Sequence, residues 1–265
     1  MGIEYESVRE YQYGDDERRI DWNITARTPP KPTGERTLFV KKFREEKNLD
    51  VLLILDQSGS MEYRDKVLTA VRAALVIADM AQRRSDYVGL VCFRDNVELF
   101  LPPTRSGEQA YRILRTLCMS YRTGGTSHLR TMAVEVIRAL RRRTIVNLIT
   151  DINHEVDDYV YFSHLLWTRG HVTNLLLIAD ESELSLPNVG WLTLMESEEL
   201  RKITIDTSEF KTEYDTEIHS VLTSIMSGCK FFGTKIFLFT KPSEVDFKIR
   251  EIANSYRLAR ENAYR

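Results

Sequence analysis

The chain alternates two hydrophobic patterns. Val51-Leu52-Leu53-Ile54-Leu55 is apolar without a break, which suits a strand buried on both faces of a parallel sheet. Segments 87–93, 145–150, 171–180 and 235–240 read in the same way. Between them apolar residues recur every three or four positions, the period of a helix with one buried face. A helix over 64–84 would turn Leu68, Val71, Leu75 and Ala78 inward, and one over 106–120 would turn Tyr111, Leu114, Leu117 and Cys118 inward. Leu129, Met132, Ala133, Val136 and Leu140 form a third stripe. Further helices are predicted over 157–168 and 208–230, and after Ser243-Glu244-Val245-Asp246, where a capping-box pattern precedes Ile249, Ile252, Ala253 and Tyr256. Residues 96–101 follow an Arg94-Asp95-Asn96 turn and predict a hairpin that adds one antiparallel edge strand. Runs 191–195 and 201–205, around Glu196-Ser197-Glu198-Glu199, predict a small β-hairpin insertion spanning 187–206. Strands alternating with helices predict an α/β fold of three layers, a mostly parallel central sheet covered on both faces.

Residues 1–48 are charge-dense and read as an extension to a main domain over 49–265. Pro29, Pro30 and Pro32 end any helix after Arg27, and 37–43 reads as a short edge-like strand. Asp15, Asp16, Arg18, Arg19 and Asp21 suit a solvated ion-pair face, with Trp22 packing a flank of the sheet; a docking surface for a partner is the alternative. The whole chain has 265 residues, 43% of them hydrophobic, enough for a real core. Its net charge of −2 argues against a nucleic-acid partner, and Arg138, Arg141, Arg142 and Arg143 suit a helix C-terminus. Three scattered cysteines without a Cys-x-x-Cys pair fit a reducing, cytoplasmic setting, with Cys92 and Cys118 as small buried hydrophobes. No run reaches the ~20 apolar residues of a membrane span, and the first residues lack a signal-peptide layout.

The candidate chemistry begins where the first strand stops. Asp56 ends the apolar run and opens Asp-x-Ser-x-Ser through Ser58 and Ser60, with Gly59 allowing a tight turn. Gly124-Gly125-Thr126 supplies another hydroxyl before a helix, and Asp151 follows the strand at 145–150. Two acids and three hydroxyls are thereby expected at the carboxyl edge of one sheet, where open α/β sheets bind ligands. All five offer oxygen, which suits Mg²⁺, Mn²⁺ or Ca²⁺ better than zinc. The plain alternative makes Asp56 a helix cap. His128 and His154 read as loop residues near this edge that touch a partner rather than a metal, and Asp180-Glu181 as flanking acids. No Gly-x-x-x-x-Gly-Lys occurs, which argues against ATP hydrolysis, and spacing ties no histidine to Ser58 as a base.

Asp56, Ser58, Ser60, Thr126 and Asp151 together resemble the complete metal-ion-dependent adhesion site of von Willebrand factor A domains. The run from Val8 to Asn23, Val-Arg-Glu-Tyr-Gln-Tyr-Gly-Asp-Asp-Glu-Arg-Arg-Ile-Asp-Trp-Asn, with Thr25-Ala26-Arg27 and Phe43-Arg44-Glu45-Glu46, is similar to the signature of the prokaryotic domain-of-unknown-function family 58. This resemblance implies a von Willebrand factor A-like fold and a site in which Ser58 and Ser60 bind Mg²⁺ directly. Thr126 would bind directly or through water, and Asp56 and Asp151 would hold coordinated waters. A partner protein's Asp or Glu would complete the shell. It further implies a non-enzymatic adaptor or co-chaperone working with a MoxR-type AAA+ ATPase. Family members carry more sequence before the signature, so a longer native N-terminus bearing an anchor stays open. From the residues alone, a metal-dependent hydrolase using the same acids is the competing expectation.

Overall fold

The computed structural model of the protein describes residues 3–45, 48–195 and 202–262. The chain divides into two compact units, 1–47 and 48–265. In the first, β1 (Ile3–Glu10) pairs antiparallel with β2 (Phe39–Glu45), and α1 (Trp22–Arg27) lies between them in sequence. Asp21 caps α1, its Oδ1 accepting from the amides of Asn23 and Ile24 at 3.0 and 3.1 Å. Trp22, expected to pack a flank of the sheet, is 65% exposed. Strand β1 was not foreseen, because charged residues interrupt its apolar positions.

The second unit runs β3 (Asp50–Asp56), α2 (Lys66–Arg83), β4 (Tyr87–Phe93), β5 (Val97–Thr104), α3 (Gln109–Ser120), α4 (Leu129–Ala139), β6 (Thr144–Thr150), α5 (Val156–Thr168), β7 (Val172–Ile178), α6 (Glu181–Leu184), β8 (Trp191–Met195), β9 (Lys202–Asp206), α7 (Thr207–Lys230), β10 (Lys235–Phe239) and α8 (Val245–Asn262). Six strands form one sheet in the order β10-β7-β6-β3-β4-β5. Every pairing is parallel except β4 with β5. Val51, Leu53 and Leu55 pack with residues of α2, α3 and α8, while Leu52 and Ile54 pack with residues of α4, α5 and α7. That alternation is the strand's two-residue period read out in three layers. The architecture is the mostly parallel α/β sandwich with one antiparallel edge strand that the pattern and the resemblance imply. β8 and β9 pair antiparallel as the expected hairpin; its expected turn at Glu196-Ser197-Glu198-Glu199 lies outside the described residues. Among the described residues no helix is long and apolar enough to cross a membrane.

Several helix faces differ from the periodicity reading. Of the expected stripe of α2, Ala78 is buried, Val71 and Leu75 are half-buried against the core, and Leu68 is 56% exposed; the fully covered face is Lys66, Thr69, Ala70, Ala73, Ala74, Ile77, Ala78 and Ala81. Small side chains let the helix lie close to the sheet, so packing selects the alanine face over the leucine face. In α3, Leu117 is buried as expected together with Ile113, while Tyr111, Leu114 and Cys118 face solvent. The stripe Leu129, Met132, Ala133 and Val136 of α4 is buried as expected. The last helix is anchored by Glu244, which accepts from the amide and hydroxyl of Thr240 at 3.0 and 2.9 Å, rather than by Ser243.

Candidate metal centre

Strands β3 and β6 are neighbours inside the sheet, yet the helices that follow them cover opposite faces. Connections that diverge in this way mark the topological switch point, and the carboxyl ends of the strands flanking it are where such sheets hold ligands. Two loops are tied there by backbone bonds: Gly59 N donates to Gly125 O at 2.9 Å, and Gly124 N to Gln57 O at 3.0 Å. Gly124 and Gly125 have φ of +134° and +71°, a region that side chains with a Cβ avoid.

Asp56, Ser58, Ser60 and Asp151 are all buried at this edge. The Ser58 and Ser60 hydroxyl oxygens are 3.0 Å apart. Asp56 Oδ1 accepts from Ser58 N at 2.8 Å. Asp56 Oδ2 accepts from Thr150 Oγ1 at 2.6 Å, His154 Nε2 at 2.9 Å and Ser127 Oγ at 3.3 Å. Asp151 is oriented by Asn153, whose amide nitrogen and side chain donate at 3.1 and 2.8 Å. Thr126 sits in the same loop region but is exposed, and its hydroxyl donates to Asp95 at 2.5 Å. Its neighbour Ser127 is the hydroxyl that reaches Asp56.

The site contains residues that sequence reasoning did not assign. Ligand atoms of Asp56, Asp151 and His154 lie within 4.8 Å of one another. His154 therefore belongs to the acidic cluster rather than to its rim, and it brings a nitrogen to a donor set expected to be all oxygen. Burial opposes ionisation of Asp56, but the hydrogen bond and charge of His154, with Thr150 and the Ser58 amide, outweigh it and hold the pKa below the usual carboxylate value. Burial likewise opposes protonation of His154, and Asp56 more than offsets it. A carboxylate only accepts, so Nε2 carries a proton in this arrangement. Ligation through Nε2 would release it.

Lys66 is the second unassigned residue. It is 2% exposed, and its ammonium donates to Asp151 Oδ2 at 3.0 Å and Glu183 Oε1 at 2.8 Å. Burial pulls its pKa down, but the charges of Asp151 and Glu183 raise it overall. Glu183 belongs to a capping box with Asp180 at the start of α6, which gives Asp180 a structural role. The available signal was a lysine at the head of the alanine stripe of α2. Arg64, in the loop before α2, adopts a left-handed φ of +48° and pairs with Asp180 at 3.2 Å, backbone strain of the kind that collects at functional sites.

Carboxylates, hydroxyls and one imidazole suit a divalent cation; the nitrogen widens the expected choice of Mg²⁺, Mn²⁺ or Ca²⁺ to include Zn²⁺. The solved structure of BatB from Bacteroides thetaiotaomicron is 16% identical with a TM-score of 0.54, covering 79% of this chain and 100% of that one. Proximal thread matrix protein 1 from the mussel byssus, in a structure with a zinc-occupied MIDAS motif, is 14% identical with a TM-score of 0.50, covering 79% of this chain and 48% of that one. At these identities the likeness is one of fold. An uncharacterized protein of Mycobacterium tuberculosis is 26% identical over 221 residues, 77% of this chain and 64% of the relative, so the chain spans about two-thirds of that relative's length. The sequence profile described as "Protein of unknown function DUF58" matches residues 7–221, the larger part of both units, and the chain belongs to that family.

Proposed function

We propose that this protein is a non-enzymatic interaction module that docks a partner protein through a divalent cation held by Asp56, Ser58, Ser60 and Asp151, with Thr126 from the neighbouring loop. The observation that carries the reading is the clustering of two buried carboxylates and a facing pair of hydroxyls at the carboxyl edge of the central strands. A cation there would supply an electron-poor position for a partner's Asp or Glu carboxylate. Asp56 holds the Ser58 loop, and Asn153 fixes Asp151, so the donors are oriented before a partner arrives. The zinc in the byssal protein's motif supports a metal at this kind of edge. The finer role, adaptor or co-chaperone to a MoxR-type AAA+ ATPase, rests on the family resemblance.

Lys66 and His154 beside two acids favour a second reading, a metal-dependent hydrolase. Two features weigh against it. Lys66 is buried and engaged with two carboxylates, so it is poorly placed to hold a phosphate. Asp56 and Ser127 meet the same nitrogen of His154, so the ring cannot relay a proton from that serine to that acid.

Calorimetric titration of Mg²⁺ and Mn²⁺ into wild type and Asp56→Ala tests the docking reading. Wild type should bind, and the variant should lose at least about tenfold to a hundredfold in affinity. A purified MoxR-type ATPase or a carboxylate-bearing fragment should then bind only with metal. No metal binding at millimolar concentration, with or without that partner, would sink the reading. Metal-dependent turnover of a phosphate or carboxylic ester, abolished in Asp56→Ala, would favour the hydrolase.

A further inference from the structure

Lys66 is the charged member of the buried, alanine-rich face of α2, and such a residue needs a reason to be there. Its ammonium is shared between Asp151, after β6, and Glu183, after β7. The Lys66 ammonium thereby sits between the Asp56–Asp151 cluster and a third carboxylate, that of Glu183, whose other oxygen accepts from the Asp180 amide. We propose that Lys66 is a positioning residue that sets the charge of the metal centre: it cancels one carboxylate, so that a divalent cation held by the remaining donors can still accept a partner's carboxylate.

The inference rests on the docking reading. With Lys66 in place the centre carries one more positive charge than without it, whatever the charge on His154, so an incoming carboxylate meets less repulsion; without Lys66 a fourth carboxylate meets correspondingly more. The lysine also works against the bare ion, since it is a cation held beside a cation site. The centre thereby trades grip on the metal for readiness to take a carboxylate, and docking comes to depend on both together.

The test uses Mn²⁺ as the metal and acetate as the carboxylate. Calorimetry reads Mn²⁺ affinity, and water-proton relaxation reads displacement of Mn²⁺-bound water by acetate. Lys66→Met in the 265-residue chain should bind Mn²⁺ about tenfold tighter, the effect of one nearby unit charge on a divalent ion even under water-like screening. It should also need about tenfold more acetate. Glu183→Gln removes a negative charge instead and should move both readouts the opposite way, which keeps the proposal testable if Lys66→Met does not fold. The double variant Lys66→Met/Glu183→Gln restores the net charge and should return both values toward wild type. If Lys66→Met folds, as judged by circular dichroism, and binds Mn²⁺ no tighter, the proposal is overturned. So it is if Glu183→Gln leaves both readouts unmoved, or if the double variant stays as far from wild type as the single one; Lys66 then merely braces the loop. Failure of wild type to bind Mn²⁺ with or without acetate would instead remove the docking reading itself, and this proposal with it.

Discussion

His171 and His154 illustrate how the pKa of one residue type is moved in opposite directions within one unit. Burial of His154 disfavours its charged form, but the hydrogen bond and charge of Asp56 raise its pKa overall. His171 is buried at the other end of the sheet, where its Nδ1 accepts from Thr144 N at 3.2 Å. Burial, then the charges of Arg169 and Arg143, lower its pKa. The unfolded chain, with a histidine pKa of about 6.5, then binds more protons than the folded one over the interval between the two values. The stabilisation is complete above the unfolded pKa and is lost as pH falls through the folded one. His171→Asn keeps an acceptor toward Thr144 but cannot titrate. Urea midpoints at pH 7.5 and 5.5 should therefore fall less in this variant than in wild type; equal falls would show that His171 does not report on folding in that window. Neither histidine's role was legible from spacing, because each depends on a group far away in sequence.

At the scale of elements, packing distance decides what periodicity leaves open. Ala74 of α2 is fully buried while Leu68 is exposed. Ala74→Leu should cost about 1–3 kcal/mol by overpacking, and Leu68→Ala should stay within about 0.5 kcal/mol; chemical denaturation measures both, and the reverse order would mean that the alanine face is not the buried one. Gly89 in β4 shows the same tightness across the antiparallel pair. A Cβ there would lie 2.8 Å from Leu101 O and 2.8 Å from Pro103 N, both backbone atoms. Gly89→Ala should lower stability by about 1–3 kcal/mol, seen as a reduced urea midpoint. The two sheet edges are protected by different means. In β5, Pro102 and Pro103 carry no N–H, which blunts pairing with another chain. Along β10, the Lys248 ammonium donates to Leu238 O and Glu244 takes the Thr240 amide.

For the whole molecule, the two core clusters and every residue of the candidate centre fall within 48–265. The buried hydrophobic residues described in the first unit are Ile20 and Val40. A fragment of residues 48–265 should accordingly unfold in one cooperative transition and keep the Mn²⁺-induced rise in melting temperature of the full chain. Loss of that rise on removing residues 1–47 would place part of the centre's support in the first unit.

What the sequence by itself determined was whatever short-range physics writes locally. Unbroken apolar runs marked the buried parallel strands, and the helical stripes between them marked the covering layers, because burial selects side chains at the period of the backbone. The acids and hydroxyls of Asp56, Ser58, Ser60 and Asp151 were legible because they follow strand ends directly, and strand ends of one parallel sheet share an edge. What only the tertiary structure decided depends on separation and distance. Lys66 meets Asp151 across 85 positions, and His154 meets Asp56 across 98. Such pairs leave no local pattern, since electrostatic partners need proximity in space alone. The buried face of α2 was decided by how closely a helix can approach a sheet, and there alanine outcompetes leucine despite being the less hydrophobic residue.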